Sequence, residues 1–484
     1  MYDVIIIGGG VVGCAVAREL SRYRVKTLLL EKTNDICNGQ SKANTAIIHG
    51  GYDAKPGTLK AKFNVLGNAM FDRIHEELDV PVQWNTSLVV SFSLEDHPAL
   101  EKLLEQGRQN GCRGELRIID ETELRQREPN VGKEAKEALL VGAGGIVCPY
   151  ELTVAFAENA VKNGAEFRRN AEVTAVSKLP NGHWQVVSAA GIFETRAVVN
   201  AAGIYSDVFN NMVSERKVRI HPRRGEYYIL DKKYKDVFHA AMFQLPTKMG
   251  KGILVAPTVD GTVLIGPTAE DIEDKEDKRT TAEGLAKTLR EAGRTWEHIP
   301  ARGFITTFSG LRSTGDTGDF ILGEAEDAPL FFNCCAIESP GLTSSPAIAK
   351  WTAERIADRL ELAPNPAFDP IRKAIPKFRE MSDAERAAAI AANPDFGKVV
   401  CRCETVTEAE IRESIRRPVG ARDIDGIKRR TRAGMGRCQA GFCTPRTVEI
   451  LAEELGVSPL EVTKFGGDSR ILQSYLFEEG KENA

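Results

Sequence analysis

The first 35 residues carry a regular succession of apolar and mixed segments. The run DVIIIG (3–8) is apolar and ends in glycine, VVGCAVARELSRY (11–23) has apolar residues at helical spacing, and VKTLLLE (25–31) is a second apolar run that ends in an acid. Short apolar runs bounded by turns are typical of buried strands. The pattern predicts strand, tight turn, helix and strand, which is half of a doubly wound sheet.

Later segments switch between helical and strand periodicity. Helical spacing recurs from Leu59 to about Asp79, in residues 150–166 and near residues 281–293. Strand patterns occupy residues 82–93, 171–179, 183–190 and 196–203, and several runs between 218 and 335. We therefore expect an α/β fold in which a doubly wound, Rossmann-like domain is interleaved with a mainly antiparallel domain.

The composition changes after residue 360. Residues 360–397 are rich in proline, alanine and charge, which is typical of a linker that carries a short helix. We predict one large domain over residues 1–365, a linker over 366–397 and a small helical domain over 398–484.

Charge and composition exclude several classes of protein. Lys plus Arg number 64 against 68 Asp plus Glu, a net charge of −4, which is too balanced for a nucleic-acid surface and favours a small substrate. No apolar run approaches the roughly 20 residues that span a bilayer, and the N-terminus lacks the pattern of a secretory signal. We expect a cytoplasmic protein whose membrane association, if it has one, is peripheral and through partners. Ten cysteines are then expected to be thiols or metal ligands.

Three glycines follow the first predicted strand. Gly8, Gly10 and Gly13 form G-x-G-x-x-G at the start of the helix, and Glu31 ends the next strand. The glycines allow a tight turn and close approach to a pyrophosphate, and the acid can accept hydrogen bonds from ribose hydroxyls. The motif predicts one bound dinucleotide without separating FAD from NAD. A second glycine cluster, residues 139–152, lacks the third glycine and is not interpreted as another site.

Four cysteines lie near the C-terminus. Cys401 and Cys403 form C-x-C, and Cys438 and Cys443 form C-x4-C. Four thiolates in two close pairs are able to hold a 2Fe-2S cluster or zinc, and the spacing alone does not choose between them. The adjacent basic run KRRTR (428–432) is either a solvated helix face or a source of positive charge near the metal.

Five further motifs resemble the D-amino-acid-oxidase-like flavoprotein superfamily, and within it the FAD-dependent glycerol-3-phosphate dehydrogenases and oxidases, with L-2-hydroxyglutarate dehydrogenases as near relatives. The likeness covers residues 1 to about 360 and implies FAD. Its motifs are SKANTAIIHGGYDAKPGTLKAKF, HPRRGEYYIL, GTVLIGPTAE, FSGLRSTGDTGDFIL and IESPGLTSSPAIAKWTAERIAD. Residues 398–484 resemble the bacterioferritin-associated-ferredoxin-like domain, which implies a 2Fe-2S cluster.

The resemblance also implies which residues contact FAD. Ser41, Asn44, Thr45 and Ala46 would lie along the flavin and its phosphates, and Val173 would meet the adenine through its backbone. The residues expected near the pyrophosphate are Ala202 and Gly203, and those expected to close over the ring are Gly310, Gly341, Leu342 and Thr343. Cys148 stands where many relatives carry aspartate, and we assign it no role.

His49 lies in the segment that the family places beside the flavin ring. Oxidation of an alcohol requires a base, and histidine has a suitable pKa, although a buried structural histidine is the alternative. By resemblance Arg312 and Lys251 would hold an anionic substrate, and Ser339 would orient substrate or ring. The alternative for Lys251 is a lysine of a solvated hairpin turn, and the alternative for Ser339 is a plain turn serine. Arg224 and Tyr228 begin a strand that lines the substrate pocket in relatives, or serve as scaffold.

The hypothesis is an FAD enzyme that oxidises sn-glycerol 3-phosphate to dihydroxyacetone phosphate by hydride transfer to flavin N5. Its electrons would leave through the 2Fe-2S cluster to a partner protein or a quinone-linked acceptor. The alternatives are a dehydrogenase of a 2-hydroxy acid, amino acid or opine, and a relay subunit that has no small substrate.

Overall fold

The structure, a computed structural model, describes residues 1–245 and 252–475. It divides into two compact units: a large unit of Met1–Lys32 with Ile36–Lys373, and a C-terminal unit of Thr33–Asp35 with the chain from Ala374 onward. The predicted linker, residues 366–397, is divided between them after Lys373. The predicted domain boundaries stay predictions.

The elements follow the predicted alternation of strands and helices. The strands are β1 Tyr2–Ile7, β2 Thr27–Leu30, β3 Ile47–Ile48, β4 Val82–Gln83, β5 Ser87–Ser91, β6 Leu116–Ile119, β7 Glu137–Val141, β8 Gly145–Val147, β9 Glu166–Arg168, β10 Val173–Lys178, β11 Trp184–Ser188, β12 Gly191–Asn200, β13 Ile220–Leu230, β14 Ala241–Gln244, β15 Leu254–Pro257, β16 Val263–Gly266, β17 Glu270–Asp271, β18 Phe304–Gly315, β19 Ile321–Ala325, β20 Ala328–Cys335, β21 Val399–Cys401 and β22 Val406–Thr407. The helices are α1 Val11–Leu20, α2 Leu59–Leu78, α3 His97–Asn110, α4 Glu121–Arg127, α5 Pro149–Lys162, α6 Ser206–Val213, α7 Ala282–Ala292, α8 Gly341–Leu360, α9 Asp383–Ala392, α10 Glu408–Arg416, α11 Ile424–Thr431 and α12 Thr444–Leu455. None of the helices described in residues 1–245 and 252–475 has both the length and the apolar character that crossing a bilayer requires.

A mainly parallel sheet forms the first layer of the large unit. β12, β1, β2 and β9 run parallel in that order, and β20 adds in parallel to β12. β10 and β11 extend the sheet as antiparallel strands. The buried side chains of these strands, among them Ile5, Leu28 and Val198, form one core cluster. The predicted doubly wound half is therefore confirmed.

A nine-stranded sheet forms the second layer. Its strands pair antiparallel except for β14 with β5, and β13 pairs with β18 along almost its whole length. The predicted single strand over residues 82–93 is two strands, β4 and β5, because Thr86 adopts a left-handed conformation (φ +68°) between them. Segments of the two sheets alternate along the chain, which confirms the predicted interleaved fold.

The C-terminal unit is built on a buried ion cluster. Asp35 is fully buried and accepts hydrogen bonds from Arg430 at both carboxylate oxygens (2.7 Å each) and from Arg429 (2.6 Å). Burial alone would raise the pKa of Asp35, but the two guanidinium groups outweigh it and lower the pKa to about 2. Two residues of the run KRRTR therefore lie inside the unit rather than on a solvated helix face.

Replacement of Asp35 tests this cluster. Asp35→Asn would remove the carboxylate that is ion-paired with two buried guanidinium groups, which costs about 3–5 kcal/mol. By calorimetry we expect the unfolding transition of the C-terminal unit to fall by roughly 10 °C or more. In the native protein the Asp35 contribution should be present above about pH 4 and be lost as the pH falls towards 2, because the folded pKa lies below the ordinary value. The exposed Asp468 provides the control Asp468→Asn, and an equal fall in both variants would contradict the role of the cluster.

Candidate functional site

The glycine turn after β1 has a backbone that only glycine fits. Gly8 has φ +109°, and a Cβ there would lie 2.5 Å from the carbonyl oxygen of Ala201. A Cβ on Gly13 would lie 2.0 Å from the carbonyl oxygen of Gly8. Gly10 directly precedes α1, so the turn ends at the N-terminus of a helix, where backbone N–H groups favour phosphate.

Glu31 lies beside this turn. The carboxylate of Glu31 is buried and accepts a hydrogen bond from the N–H of Gly9 at 2.8 Å. The carbonyl of Glu31 accepts from the N–H of Ala171 at 2.9 Å, which brings the start of β10, where Val173 lies, to the same edge of the sheet. The predicted ribose and adenine contacts are thus neighbours of the glycine turn.

Ala202 and Gly203 follow the end of β12 at the same edge. The N–H of Ala201 donates to the carbonyl of Ile7 at 3.0 Å, and a Cβ on Gly8 would lie 3.1 Å from the Cα of Ala202. Gly203 has φ +58° and begins a short 3-10 turn. These residues close one side of the space that a pyrophosphate would need.

The loop of residues 40–46 brings the next group of predicted residues to the turn. Ser41 accepts a hydrogen bond from the first N–H of α1, that of Val11, at 2.9 Å. Asn44 holds the loop itself, since its amide donates to the carbonyl of Ser41 (2.9 Å) and accepts from the N–H of Ala46 (2.9 Å). Ala46 has φ +61°, and Thr45 lies half-buried between these two residues.

Strand β18 packs directly on this loop. A Cβ on Gly310 would lie only 2.0 Å from the carbonyl oxygen of Ala43. Gln40, which belongs to no recognised motif, joins the same elements. It accepts from the hydroxyl of Ser313 (2.8 Å) and donates to the carbonyl of Ile337 (3.2 Å).

His49 is buried and follows β3. Its Nε2 lies 3.3 Å from the hydroxyl of Ser339, and its backbone N–H donates to the Oγ1 of Thr343 at 2.9 Å. Phe243 packs against the ring, with centroids 5.9 Å apart. Gly341, Leu342 and Thr343 form the first turn of α8, so the N-terminus of this helix lies against the histidine segment.

Two buried asparagines of α2 also hold this segment. The side chains of Asn64 and Asn68 donate to the carbonyl of His49 at 2.7 and 3.0 Å. Sequence reasoning missed them. The available signal was a pair of amides four residues apart on the buried face of a helix, where polar side chains normally have a specific partner.

Arg312 lies on β18, opposite Arg223 of β13. Its guanidinium donates to the carbonyl of Thr268 at 3.3 Å from both terminal nitrogens. Burial raises the pKa of the neighbouring Tyr227, against an opposing effect of Arg312. Lys251, the second predicted anion contact, lies outside the described residues.

Arg224 and Tyr228 have structural partners. Arg224 is ion-paired with Asp277 (2.9 Å) and Glu270 (2.6 Å), and Tyr228 packs on Phe304 with centroids 4.4 Å apart. These contacts favour the scaffold interpretation.

The four cysteines of the C-terminal unit meet as two pairs. Contact with the Cys443 thiol lowers the pKa of Cys401 to about 6, while the pKa of Cys443 is raised. The backbone N–H of Cys438 lowers the pKa of Cys403, but the Cys438 side chain and burial together raise it. Over residues 1–245 and 252–475, no three His, Cys, Asp or Glu side chains form a site for a single metal ion. The four thiols supply the donor set of a 2Fe-2S cluster, and the same set also suits zinc.

Cys148, Cys334 and Cys335 belong to the large unit. Cys334 and Cys335 are buried in β20, and burial raises the pKa of Cys334 to about 12. Cys148 is buried immediately before α5.

Comparison with known families decides between the cofactors. Residues 3–355 match the FAD dependent oxidoreductase family, and residues 399–453 match the BFD-like [2Fe-2S] binding domain. The chain belongs to the FAD-dependent oxidoreductase family. The predictions of FAD and of a 2Fe-2S cluster are thereby confirmed, and zinc is not the metal of this domain type.

Individual relatives cover different shares of this oxidoreductase. It is 48% identical to a glycerol 3-phosphate dehydrogenase of Caloramator mitchellensis over 98% of both chains. It is 32% identical to the glycerol 3-phosphate oxidase of Mycoplasma pneumoniae over 75% of this chain and 96% of that one. A solved structure of L-alpha-glycerophosphate oxidase from Mycoplasma pneumoniae with FAD bound superposes with a TM-score of 0.73 at 30% identity, over 77% and 98% of the chains.

The residues present fit both groups. The close backbone packing at Gly8 and Gly13 gives the turn the form of a dinucleotide-binding glycine loop, and four thiols supply the donor set of an iron-sulfur cluster. The roles of individual residues stay predictions, which two variants test.

Gly310→Ala should release FAD. The added Cβ would meet the carbonyl of Ala43 at 2.0 Å, so β18 or the loop of residues 40–46 has to move. We expect a loss of at least tenfold in FAD affinity, measured from flavin absorbance after gel filtration and by reconstitution. Gly397→Ala is the control, because its Cβ would make only an ordinary contact, 3.6 Å from Ile390. Full flavin content in Gly310→Ala would refute the close approach.

Cys438→Ala should remove the cluster and spare the flavin. Cys438 is half-buried, so its replacement disturbs packing little, but a 2Fe-2S cluster requires four ligands. We expect the loss of iron, acid-labile sulfide and the electron paramagnetic resonance signal of the dithionite-reduced protein. Cys112→Ala, a half-buried cysteine of the large unit, should keep all three.

Proposed function

We propose that this oxidoreductase is a glycerol-3-phosphate dehydrogenase that forms dihydroxyacetone phosphate and passes electrons through its 2Fe-2S cluster to another protein. The observation that carries the proposal is the 48% identity to a glycerol 3-phosphate dehydrogenase over 98% of both chains. That relative spans the C-terminal cysteines as well as the FAD-binding unit, whereas the Mycoplasma pneumoniae oxidase aligns with 75% of this chain.

Bound FAD supplies the hydride acceptor, and the cluster supplies a one-electron carrier. His49 takes the proton of the substrate C2 hydroxyl at Nε2, the nitrogen beside Ser339. Thr343, Asn64 and Asn68 fix the backbone of His49 so that its ring keeps one position. Burial of the histidine keeps water away from the reacting hydroxyl.

Arg312 holds the phosphate of the substrate. Its guanidinium donates to the carbonyl of Thr268 at 3.3 Å and lies beside Tyr227. A planar fork with charge makes two hydrogen bonds to a phosphate, and it also suits a carboxylate. Arg312 therefore explains selection for an anion without separating glycerol 3-phosphate from a 2-hydroxy acid. We also propose Lys251 as a contact of the same anion and a cytoplasmic location for the protein.

The test is an anaerobic visible spectrum of the purified protein with a panel of substrates. Glycerol 3-phosphate should bleach the flavin and then the cluster, and L-2-hydroxyglutarate, glycine and L-proline should not. Bleaching by a hydroxy acid or amino acid instead would replace the proposed substrate. If only dithionite bleaches the flavin, the protein is a relay subunit and the proposal is wrong.

His49→Gln should slow the reduction of the flavin by glycerol 3-phosphate by about 10²- to 10⁴-fold, because the general base is lost. Reduction by dithionite should stay unchanged. The rate is measured by anaerobic stopped-flow absorbance. His298→Gln, at an exposed histidine, is the matched control and should react like the native protein. A loss of flavin from His49→Gln would instead indicate a structural histidine.

A further inference from the structure

Three charged side chains form a row across the nine-stranded sheet. Arg223 of β13 is paired directly with Arg312 of β18 on one side and with Asp271 of β17 on the other. Directly opposed residues of antiparallel strands point to the same face of the sheet, with Cβ atoms about 5 Å apart. We call Asp271, Arg223 and Arg312 the charged row. It contains two positive charges and one negative charge.

The charged row lies on the face of β18 that meets the loop of residues 40–46. Gly310 and Arg312 are two residues apart on one strand, so they share a face. A Cβ on Gly310 would point at the carbonyl oxygen of Ala43, 2.0 Å away. The two arginines are therefore on the side of the sheet where the predicted FAD contacts lie.

Aromatic packing joins this face to the proposed base. Beyond the glycines, Tyr227 of β13 is paired with Phe308 of β18, and the two rings stack with centroids 4.5 Å apart. Both belong to the same hydrophobic cluster as Phe243. Phe243 packs against the ring of His49, with centroids 5.9 Å apart. The row and His49 thus border the same apolar cluster.

A polar path joins the other end of the row to the same place. Thr314 lies on the same face of β18 and donates to the carboxylate of Glu338 at 3.1 Å. Glu338 directly precedes Ser339, the residue beside the proposed base. The hydrogen bond to Asp271 raises the pKa of Arg223, and the charge of Glu338 adds to this effect. Arg223 is therefore within electrostatic reach of the segment that carries Ser339.

Asp271 offsets the repulsion between the two arginines. Arg223 donates to both carboxylate oxygens of Asp271, at 2.6 and 3.0 Å. These hydrogen bonds lower the pKa of Asp271 against the effect of burial, and the charges of His221 and Arg312 lower it further. The side chains of Arg223 and Asp271 are 35% and 57% exposed. An ion pair this exposed contributes little stability, so an incoming anion is able to replace its carboxylate.

We propose that Arg223 is a second contact of the substrate's phosphate, and that the phosphate takes the place of Asp271 beside it. Two guanidinium groups match the two negative charges of a phosphate monoester, whereas one carboxylate carries a single charge. Arg223 therefore supplies the preference for phosphate that Arg312 alone does not. The inference rests on the proposed function, because it takes Arg312 as the first contact of the same anion.

Two small anions test this preference without turnover. Ethyl phosphate is mainly a dianion at mildly alkaline pH, and ethanesulfonate is a monoanion of similar size. Binding of each to the oxidised holoenzyme is measured by titration calorimetry. We expect the native protein to bind ethyl phosphate about tenfold or more tighter than ethanesulfonate. In Arg223→Gln the affinity for ethyl phosphate should fall by about tenfold, and most of the preference should disappear.

Asp271→Asn should have the opposite effect. Loss of the carboxylate frees Arg223 and removes a negative charge, so ethyl phosphate should bind about threefold or more tighter. A gain in affinity does not arise from a damaged fold. The matched controls are Arg359→Gln and Glu324→Gln, which break an ion pair with two hydrogen bonds of 2.9 Å between α8 and β19. Both should bind the two anions like the native protein.

Flavin reduction by glycerol 3-phosphate gives a second readout. In anaerobic stopped-flow experiments Arg223→Gln should raise the dissociation constant of glycerol 3-phosphate by about tenfold, while the limiting rate changes by less than about threefold. This separation is expected of a residue that holds the anion and not of one that positions His49. FAD content is measured in each variant, and Asp271→Asn decides the question if Arg223→Gln loses FAD.

Three results would overturn the proposal: no preference of the native protein for ethyl phosphate, an unchanged affinity in Arg223→Gln, or an affinity that Asp271→Asn fails to increase. The proposed function fails separately. If glycerol 3-phosphate does not reduce the flavin while ethyl phosphate binding still depends on Arg223, the substrate assignment is wrong and the anion site stands. If glycerol 3-phosphate reduces Arg223→Gln with native constants, the enzyme assignment stands and the role of Arg223 is wrong.

Discussion

Close backbone packing around the loop of residues 40–49 is the constraint on which the candidate site depends. Gly310 lets β18 lie against Ala43, and Gly67 lets α2 approach the carbonyl of Thr343, where a Cβ would be 2.0 Å away. Because interiors are packed without slack, a single methyl group at either glycine would shift the segment that carries His49. The position of the proposed base is therefore set by three elements from distant parts of the chain rather than by its own strand, which has only two residues.

The local patterns gave the fold class correctly because they report on burial and spacing. The succession of β1, α1 and β2 and the helix at α7 follow directly from periodicity. The paired cysteines indicated a metal centre, and the resemblance to known flavoproteins supplied the FAD contacts. His49 and Thr343, which are 294 residues apart, were both selected in this way, and the structure joins them by one hydrogen bond.

The residues that sequence reasoning missed act through tertiary partners. Gln40, Asn64 and Asn68 have no motif, and their importance lies in which carbonyls they reach. The run KRRTR has the composition of a solvated helix face or of a source of positive charge near the metal, but Arg429, Arg430 and Arg432 are buried against Asp35 and Glu404. A buried arginine requires a carboxylate, and nothing local to residues 428–432 reveals that one of them is supplied by residue 35.

The location of Asp35 has a consequence for how the chain is made. The C-terminal unit includes residues 33–35, so both ends of the sequence contribute to it. During synthesis this acidic segment leaves the ribosome almost four hundred residues before the arginines that neutralise it. A protein truncated after residue 373 would keep Asp35 but lack the arginines that pair with it. The iron-sulfur segment expressed alone would keep Arg429 and Arg430 but lack Asp35. Folding of the C-terminal unit consequently requires residues from the N-terminal part of the chain. We therefore expect that separating the chain at residue 373 would destabilise the C-terminal unit.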